Sequence, residues 1–290
     1  MNPALQAALW MIGAILSFSS MAVAGRELSS VLDTFEIMMY RSFIGIAIVL
    51  VLGLALGTLR QISARNLVLH GMRNLAHFAG QNLWFFAITV IPLAQVFALE
   101  FTSPIWVVVL SPLILGERLT PMRALAALIG FAGILIVARP SPESLNIGII
   151  AAGLSAICFA LTSVFTKKLT RDTSITTILF WLTVMQAVFG VICAGYDGDV
   201  ALPTLDSLPL IVTIGCAGLL AHFCIAKALS LAPATVVMPV DFVRLPVIAV
   251  VGMALYAEPF DWFVFLGAAV IFAGNYLNIW SETRPLHKPA

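Results

Sequence analysis

The chain is short of charge. Only 10% of its 290 residues are Asp, Glu, Lys or Arg, against roughly a quarter in a soluble globular domain. The deficit runs the whole length, with a mean hydropathy of +1.06, which excludes a soluble domain carried on one anchor. Neither sign is in excess, since the net charge is +1, and that excludes the basic footprint of a nucleic-acid binder. Cysteine is scarce. Cys158, Cys193, Cys216 and Cys224 lie in apolar runs without CxxC spacing, so buried thiols are expected, with no disulfide framework and no metal site. No HExxH, phosphate loop, GxGxxG or ordered Ser-His-Asp set occurs in a usable context. No enzyme and no cofactor is expected; an intramembrane hydrolase built on His77 or His222 is the residual enzyme reading.

Long apolar runs are what the chain has instead. A spanning helix needs about 20 mostly apolar residues. Ten segments qualify: 4–25, 34–56, 68–90, 93–115, 122–139, 147–167, 174–194, 208–230, 233–254 and 260–280. The breaks carry turn chemistry, at Ile91-Pro92, Gly116-Glu117, Pro140-Ser141-Pro142, Ala232-Pro233 and Glu258-Pro259. The longest polar interval, 195–207, holds Asp197, Asp199 and Asp206. The expected fold class is an all-α integral membrane protein of ten transmembrane helices. The first run ends in Ala22-Val23-Ala24, which mimics a cleavage site, but it aligns with 145–169 and is read as a mature helix. With the N-terminus in the cytoplasm, Arg60, Arg65, Arg118, Arg123, Lys167, Lys168, Arg171, Arg284 and Lys288 fall inside. Only Arg26 and Arg139 fall outside, the bias of the positive-inside rule. Both termini are expected in the cytoplasm of a bacterial inner membrane.

The chain also repeats itself. Adding 141 to a residue number maps Phe18 onto Phe159, Ala87 onto Ala228, Phe101 onto Phe242 and Glu117 onto Glu258, without a gap. Glu100 maps onto Asp241. Residues 1–141 and 142–290 are read as two five-helix repeats. Five is odd, so the second copy runs opposite to the first. Inverted repeats of this kind rock about a midplane site and give alternating access a scaffold.

Ionisable residues within the spans mark the interior, because a charge at the bilayer centre costs roughly 2.5–3.5 kcal/mol on insertion scales. Glu100, Lys227, Asp241 and Arg244 stand out. Asp241 and Arg244 are three apart and share a helix face. They are either a structural ion pair or a receptor for a zwitterion. Glu100 is protonated, paired with Arg244 or Lys227, or open to a substrate amine or proton. Lys227 is read as snorkelling to the interface. His77, Gln81 and Trp84 form one stripe, and His222 stands at the position equivalent to Gln81. Pro104, Pro112, Pro239 and Pro246 predict kinked, central fourth and ninth helices. Small residues at Ala126, Gly130, Gly133, Ala269, Ala273 and Gly274 predict packing struts at the periphery, or a dimer seam.

Two stretches carry a family resemblance. Ile91-Pro92-Leu93-Ala94 through Glu100-Phe101-Thr102-Ser103-Pro104 to Leu115-Gly116-Glu117-Arg118-Leu119-Thr120 is similar to the drug/metabolite transporter superfamily, EamA type. Ala232-Pro233-Ala234 through Tyr256-Ala257-Glu258-Pro259 is the degenerate second copy. The resemblance covers essentially the whole chain and implies a ten-helix basket around a central cavity. Within the superfamily the chain looks most like the YddG-type exporters of aromatic amino acids. That likeness implies aromatic walls from Phe18, Trp84, Phe97 and Phe159, with Trp10 and Tyr40 as additions. The expected substrate site is Phe18, His77, Gln81, Trp84, Phe97, Glu100, Phe159, His222, Asp241 and Arg244. The expected function is export of small amphipathic metabolites, first of all aromatic amino acids, by a monomer or weak dimer in the lipid bilayer. The alternative is another cargo, such as a vitamin or S-adenosylmethionine, with import in place of export.

Overall fold

The computed structural model describes residues 2–91, 93–117, 119–138, 146–196, 198–256 and 262–283. These residues form an all-helical array, with no strand among them. In chain order the helices are α1 (Pro3–Leu28), α2 (Thr34–Ala55), α3 (Leu67–Val90), α4 (Leu93–Glu100), α5 (Ser103–Leu115) and α6 (Pro121–Ala138). There follow α7 (Ile147–Leu169), α8 (Ile175–Ala194), α9 (Leu208–Leu231), α10 (Ala234–Val237), α11 (Arg244–Tyr256) and α12 (Trp262–Thr283). A 3-10 stretch, Met238–Val243, joins α10 to α11. Of the features expected from the sequence, Pro92, Arg118, Arg139, Pro140, Ser141, Pro142, Asp197, Glu258, Pro259, Arg284 and Lys288 lie outside the described residues. So does the side chain of Pro246.

Local chemistry sets the boundaries. Asp33 caps α2 in a capping box, accepting from the Glu36 amide while the Glu36 side chain accepts from the Asp33 amide. Asn2, Asn146 and Ser174 cap α1, α7 and α8 through their side-chain oxygens. Gly116 closes α5 at φ +67°, a left-handed conformation that glycine adopts without a Cβ penalty.

Among the described residues, five helices are long and apolar enough to cross a membrane: α1, α2, α7, α8 and α9. The expectation that the fourth and ninth segments are single, kinked helices needs correction. Each is broken near its middle, after Glu100 and across Met238–Val243. Proline supplies the cause. Pro104 has no amide to give the Glu100 carbonyl, so α4 ends at Glu100 and a new helix starts at Ser103 with Pro104 in its first turn. Pro239 opens the 3-10 stretch in the same way. The prolines therefore break these helices rather than only bending them. Pro112 sits inside α5.

The element bounds keep the 141-residue register. The helices α2 and α8 start at Thr34 and Ile175, while α3 and α9 span Leu67–Val90 and Leu208–Leu231. The broken segments resume at Ser103 and Arg244 and end at Leu115 and Tyr256. Packing exchanges partners across the middle of the chain. Helix α1 lies on α9, α3 on α7, α2 on α8 and α6 on α12. Glycine permits the closest approaches: a Cβ on Gly190 of α8 would stand 2.8 Å from the Met39 Cα of α2. A Cβ on Gly274 of α12 would stand 2.9 Å from the Ala126 carbonyl of α6. The small-residue faces of α6 and α12 thus close on each other within one chain. Gly130 also admits the Phe242 ring, so these helices support the broken ninth segment directly.

Polarity is distributed inside out. Val68, Leu113, Leu54 and Ile147 are each more than two-thirds exposed, whereas Arg41, Arg73, Asn74, His77, Gln81, Glu100 and Arg244 are buried. A soluble protein shows the reverse, and a lipid-facing exterior accounts for it. The four cysteines are all free, and the expectation of buried thiols holds only for Cys224; Cys158 and Cys193 are half-buried, and Cys216 is exposed on the apolar outside of α9.

Candidate functional site

The two broken segments meet at one cavity. Ser103 opens α5 and Arg244 opens α11, and both line it. Its wall also includes Phe18 of α1, Arg73, His77, Gln81 and Trp84 of α3, Glu100 of α4 and Phe159 of α7. Thr162, Ser163 and Thr166 of α7, His222 of α9, and Asp241 complete its polar lining. The space open to the centres of water molecules is about 70 Å³. That is room for a few waters, at roughly 10–15 Å³ each on this measure.

An ion cluster forms one side. The Arg244 guanidinium donates to Glu100 Oε1 and, at 3.0 Å, to Asp241 Oδ2. The Trp84 indole donates to the other Glu100 oxygen at 2.7 Å. The Arg244 carbon also stands 5.3 Å from the Phe18 ring centroid, 5.8 Å from that of Phe97 and 5.1 Å from that of Phe101. Such faces attract a cation. The sequence left Glu100 three fates; the structure pairs it with Arg244, not with Lys227, which is half-buried and away from the cavity.

The opposite side is basic. Arg73 is 2% exposed. It donates to Thr166 Oγ1 at 3.2 Å and to Asn74 Oδ1 at 2.8 Å, and its Nη2 lies 3.4 Å from His222 Nδ1. The His77 and His222 rings meet edge to face with centroids 4.5 Å apart. Phe18 packs on His222, and Phe159 on His77. Several polar atoms here are buried without a protein partner: both His77 ring nitrogens, His222 Nε2, Ser103 Oγ, Asp241 Oδ1 and Arg244 Nε. Buried polar groups are normally paired, and these atoms at one cavity have hydrogen-bonding capacity that the protein leaves unused.

Nine of the ten residues expected from sequence line this cavity. The tenth, Phe97, is buried behind it against Trp84 at 5.9 Å. Trp10 packs edge-on against Phe223, and Tyr40 donates to the Ala201 carbonyl; neither lines the cavity. Sequence reasoning missed Arg73, Thr162, Ser163 and Thr166. Arg73 was legible, because it extends the stripe of His77, Gln81 and Trp84 by one more step of four. Among the described residues no group of His, Cys, Asp and Glu has metal-binding geometry.

Broken helices that place polar groups around a cavity inside an apolar shell define a class, the multi-pass membrane transporter. The sequence profile described as the EamA-like transporter family matches twice, at residues 5–139 and 146–280. The chain belongs to that family and is a transporter, not an enzyme. It is 26% identical over 279 residues to an S-adenosylmethionine uptake transporter of Rickettsia bellii, covering 96% of this chain and 95% of the relative. It is 32% identical over 236 residues to a riboflavin transporter of Brucella anthropi, covering 79% and 83%. A solved crystal structure shares the fold, with TM-score 0.77 at 19% identity, covering 93% of this chain and 95% of that one. The expected kinship with aromatic amino-acid exporters is not what these relatives favour.

Proposed function

We propose that the chain takes a charged, ring-bearing metabolite across a bacterial inner membrane by alternating access, with S-adenosylmethionine as the leading cargo. One observation carries the reading: a single cavity presents two carboxylates, two arginines and aromatic faces, and the cargo enters it in a wider state than the one described, which holds only a few waters. S-adenosylmethionine carries an ammonium, a sulfonium, a carboxylate and a purine. Asp241, whose Oδ1 is buried without a partner, suits a cation, Glu100 adds negative charge beside it, Arg73 suits the carboxylate, and Phe18, Trp84 and Phe159 suit the ring. His77, Gln81, His222 and Arg244 complete the site. The relative from Rickettsia bellii, named for uptake of this compound, supports the same cargo and direction. Riboflavin is the second reading, supported by the relative from Brucella anthropi; its ring system is uncharged and makes less use of the buried ions. Export of aromatic amino acids, the first expectation from sequence, now stands third.

The proposed scaffold is ten membrane crossings in two inverted repeats, residues 1–141 and 142–290, with both termini cytoplasmic. The preserved 141-residue spacing of element bounds and the two profile matches support it. Cysteine labelling from each side of the membrane, at positions introduced near residue 2 and in 199–206, tests the orientation. For the cargo, purified protein in liposomes should accumulate labelled S-adenosylmethionine saturably, with phenylalanine and riboflavin as competitors. Uptake of riboflavin or phenylalanine without S-adenosylmethionine sinks the cargo assignment.

A further inference from the structure

Arg41 has no role in the transport site just described, yet it is buried in α2 at 6% exposure. Among the described residues its only hydrogen-bond acceptor is the Met21 thioether, at 3.7 Å. Sulfur is a weak acceptor, so this contact does not balance a guanidinium. Arg41 lines a second, small pocket with Thr183, Gln186, Gly215, Gly218 and His222. His222 also lines the main cavity and touches Arg73, whose hydrogen-bond partners are all neutral. Among the described residues no carboxylate pairs with Arg41 or Arg73. Gly218 preserves the space: a Cβ there would meet the Arg41 guanidinium at 3.4 Å and Met21 Sδ at 3.5 Å.

Two buried cations beside one histidine, in an apolar surround, carry a net positive charge that the protein does not cancel. A single uncompensated ion in a low-dielectric interior is strongly unfavourable. Arginines meet such a demand with an anion, through charge-assisted bonds to oxygen or halide. His222 Nδ1 lies 3.4 Å from Arg73, and its Nε2 is buried without a partner. We propose that Arg41, Arg73 and His222 form an anion subsite where the main cavity meets the small pocket at His222, which takes one small monovalent anion. The anion is either a carboxylate group of the cargo or a free chloride. The subsite rests on the buried arginines and not on the identity of the cargo.

Thermal unfolding of detergent-purified protein tests it, with sodium isethionate exchanged for sodium acetate or sodium chloride at constant ionic strength. The expected result is a saturable rise in the unfolding midpoint with acetate, chloride or both. Acetate alone assigns the subsite to a carboxylate, and chloride alone to a free ion. Arg41→Gln and Arg73→Gln should each remove the dependence, and Lys227→Gln should keep it. If either arginine variant does not fold, chloride-35 NMR line broadening on the wild type, displaced by acetate, reads the same site. No saturable response in the wild type, or an unchanged response in folded Arg41→Gln, overturns the proposal. Because acetate and chloride are the probes, failure to transport S-adenosylmethionine leaves this test intact.

Discussion

Arg244 and Arg73 line the same cavity and are buried to the same degree, but their surroundings are opposite. Arg244 bonds two carboxylates, Glu100 and Asp241. Arg73 bonds a hydroxyl and an amide and touches an imidazole. The first is held by its own protein; the second keeps its charge available. One cavity thereby combines a cluster that fixes the broken helices to each other with a cation that can meet a guest.

The contrast can be broken most directly at Arg244. Arg244→Met strands two buried carboxylates and should cost about 3–5 kcal/mol, read as a lower thermal midpoint in detergent. Combining it with Glu100→Gln and Asp241→Asn should restore most of the stability and none of the transport. Wild-type stability in the single variant would remove the structural role. On the same side, Trp84→Phe deletes the indole donor to Glu100. A loss of about 1.5–3 kcal/mol is expected, as for a hydrogen bond to a charged group; denaturant titration of the folded fraction measures it.

On the basic side the effect should move from stability to transport. Arg73→Gln should lower liposome uptake of a carboxylate-bearing cargo by about tenfold, equivalent to roughly 1.4 kcal/mol, while costing less stability than Arg244→Met. Equal loss of flux for the cargo and for its methyl ester would show that Arg73 does not read the carboxylate. Smallest is Thr166→Val, which removes one neutral acceptor from Arg73. It should cost about 0.5–1.5 kcal/mol and raise the apparent KM with little change in maximal rate. A change in rate alone would contradict a positioning role.

The sequence disclosed more of this arrangement at short range than at long range. Helical periodicity grouped His77, Gln81 and Trp84, since spacings of four and three share a face. The same rule places Asp241 beside Arg244. It cannot say that Glu100, 144 residues from Arg244, completes the cluster, because that pairing depends on how α4 packs against α11. The broken segments were half legible. Proline composition pointed to Pro104 and Pro239, but a kink and a break have the same composition. Arg41 and Arg73 were overlooked because each lies within two turns of a helix start, where a cation ordinarily reaches the interface. Only the packing of α2 against α8 and α9 reveals that Arg41 turns inward.

The exchange of helix partners has a consequence for how the chain is made. Helix α1 rests on α9 and α2 on α8, and the ribosome delivers these partners more than a hundred residues apart. The first helices must therefore wait in the bilayer, with Arg41 and Arg73 lacking their final neighbours, until the late helices arrive. Membrane insertion and completion of the fold are separate events in time. A chain interrupted after its first half would carry unsheltered arginines in lipid, a clear mark for quality-control proteolysis.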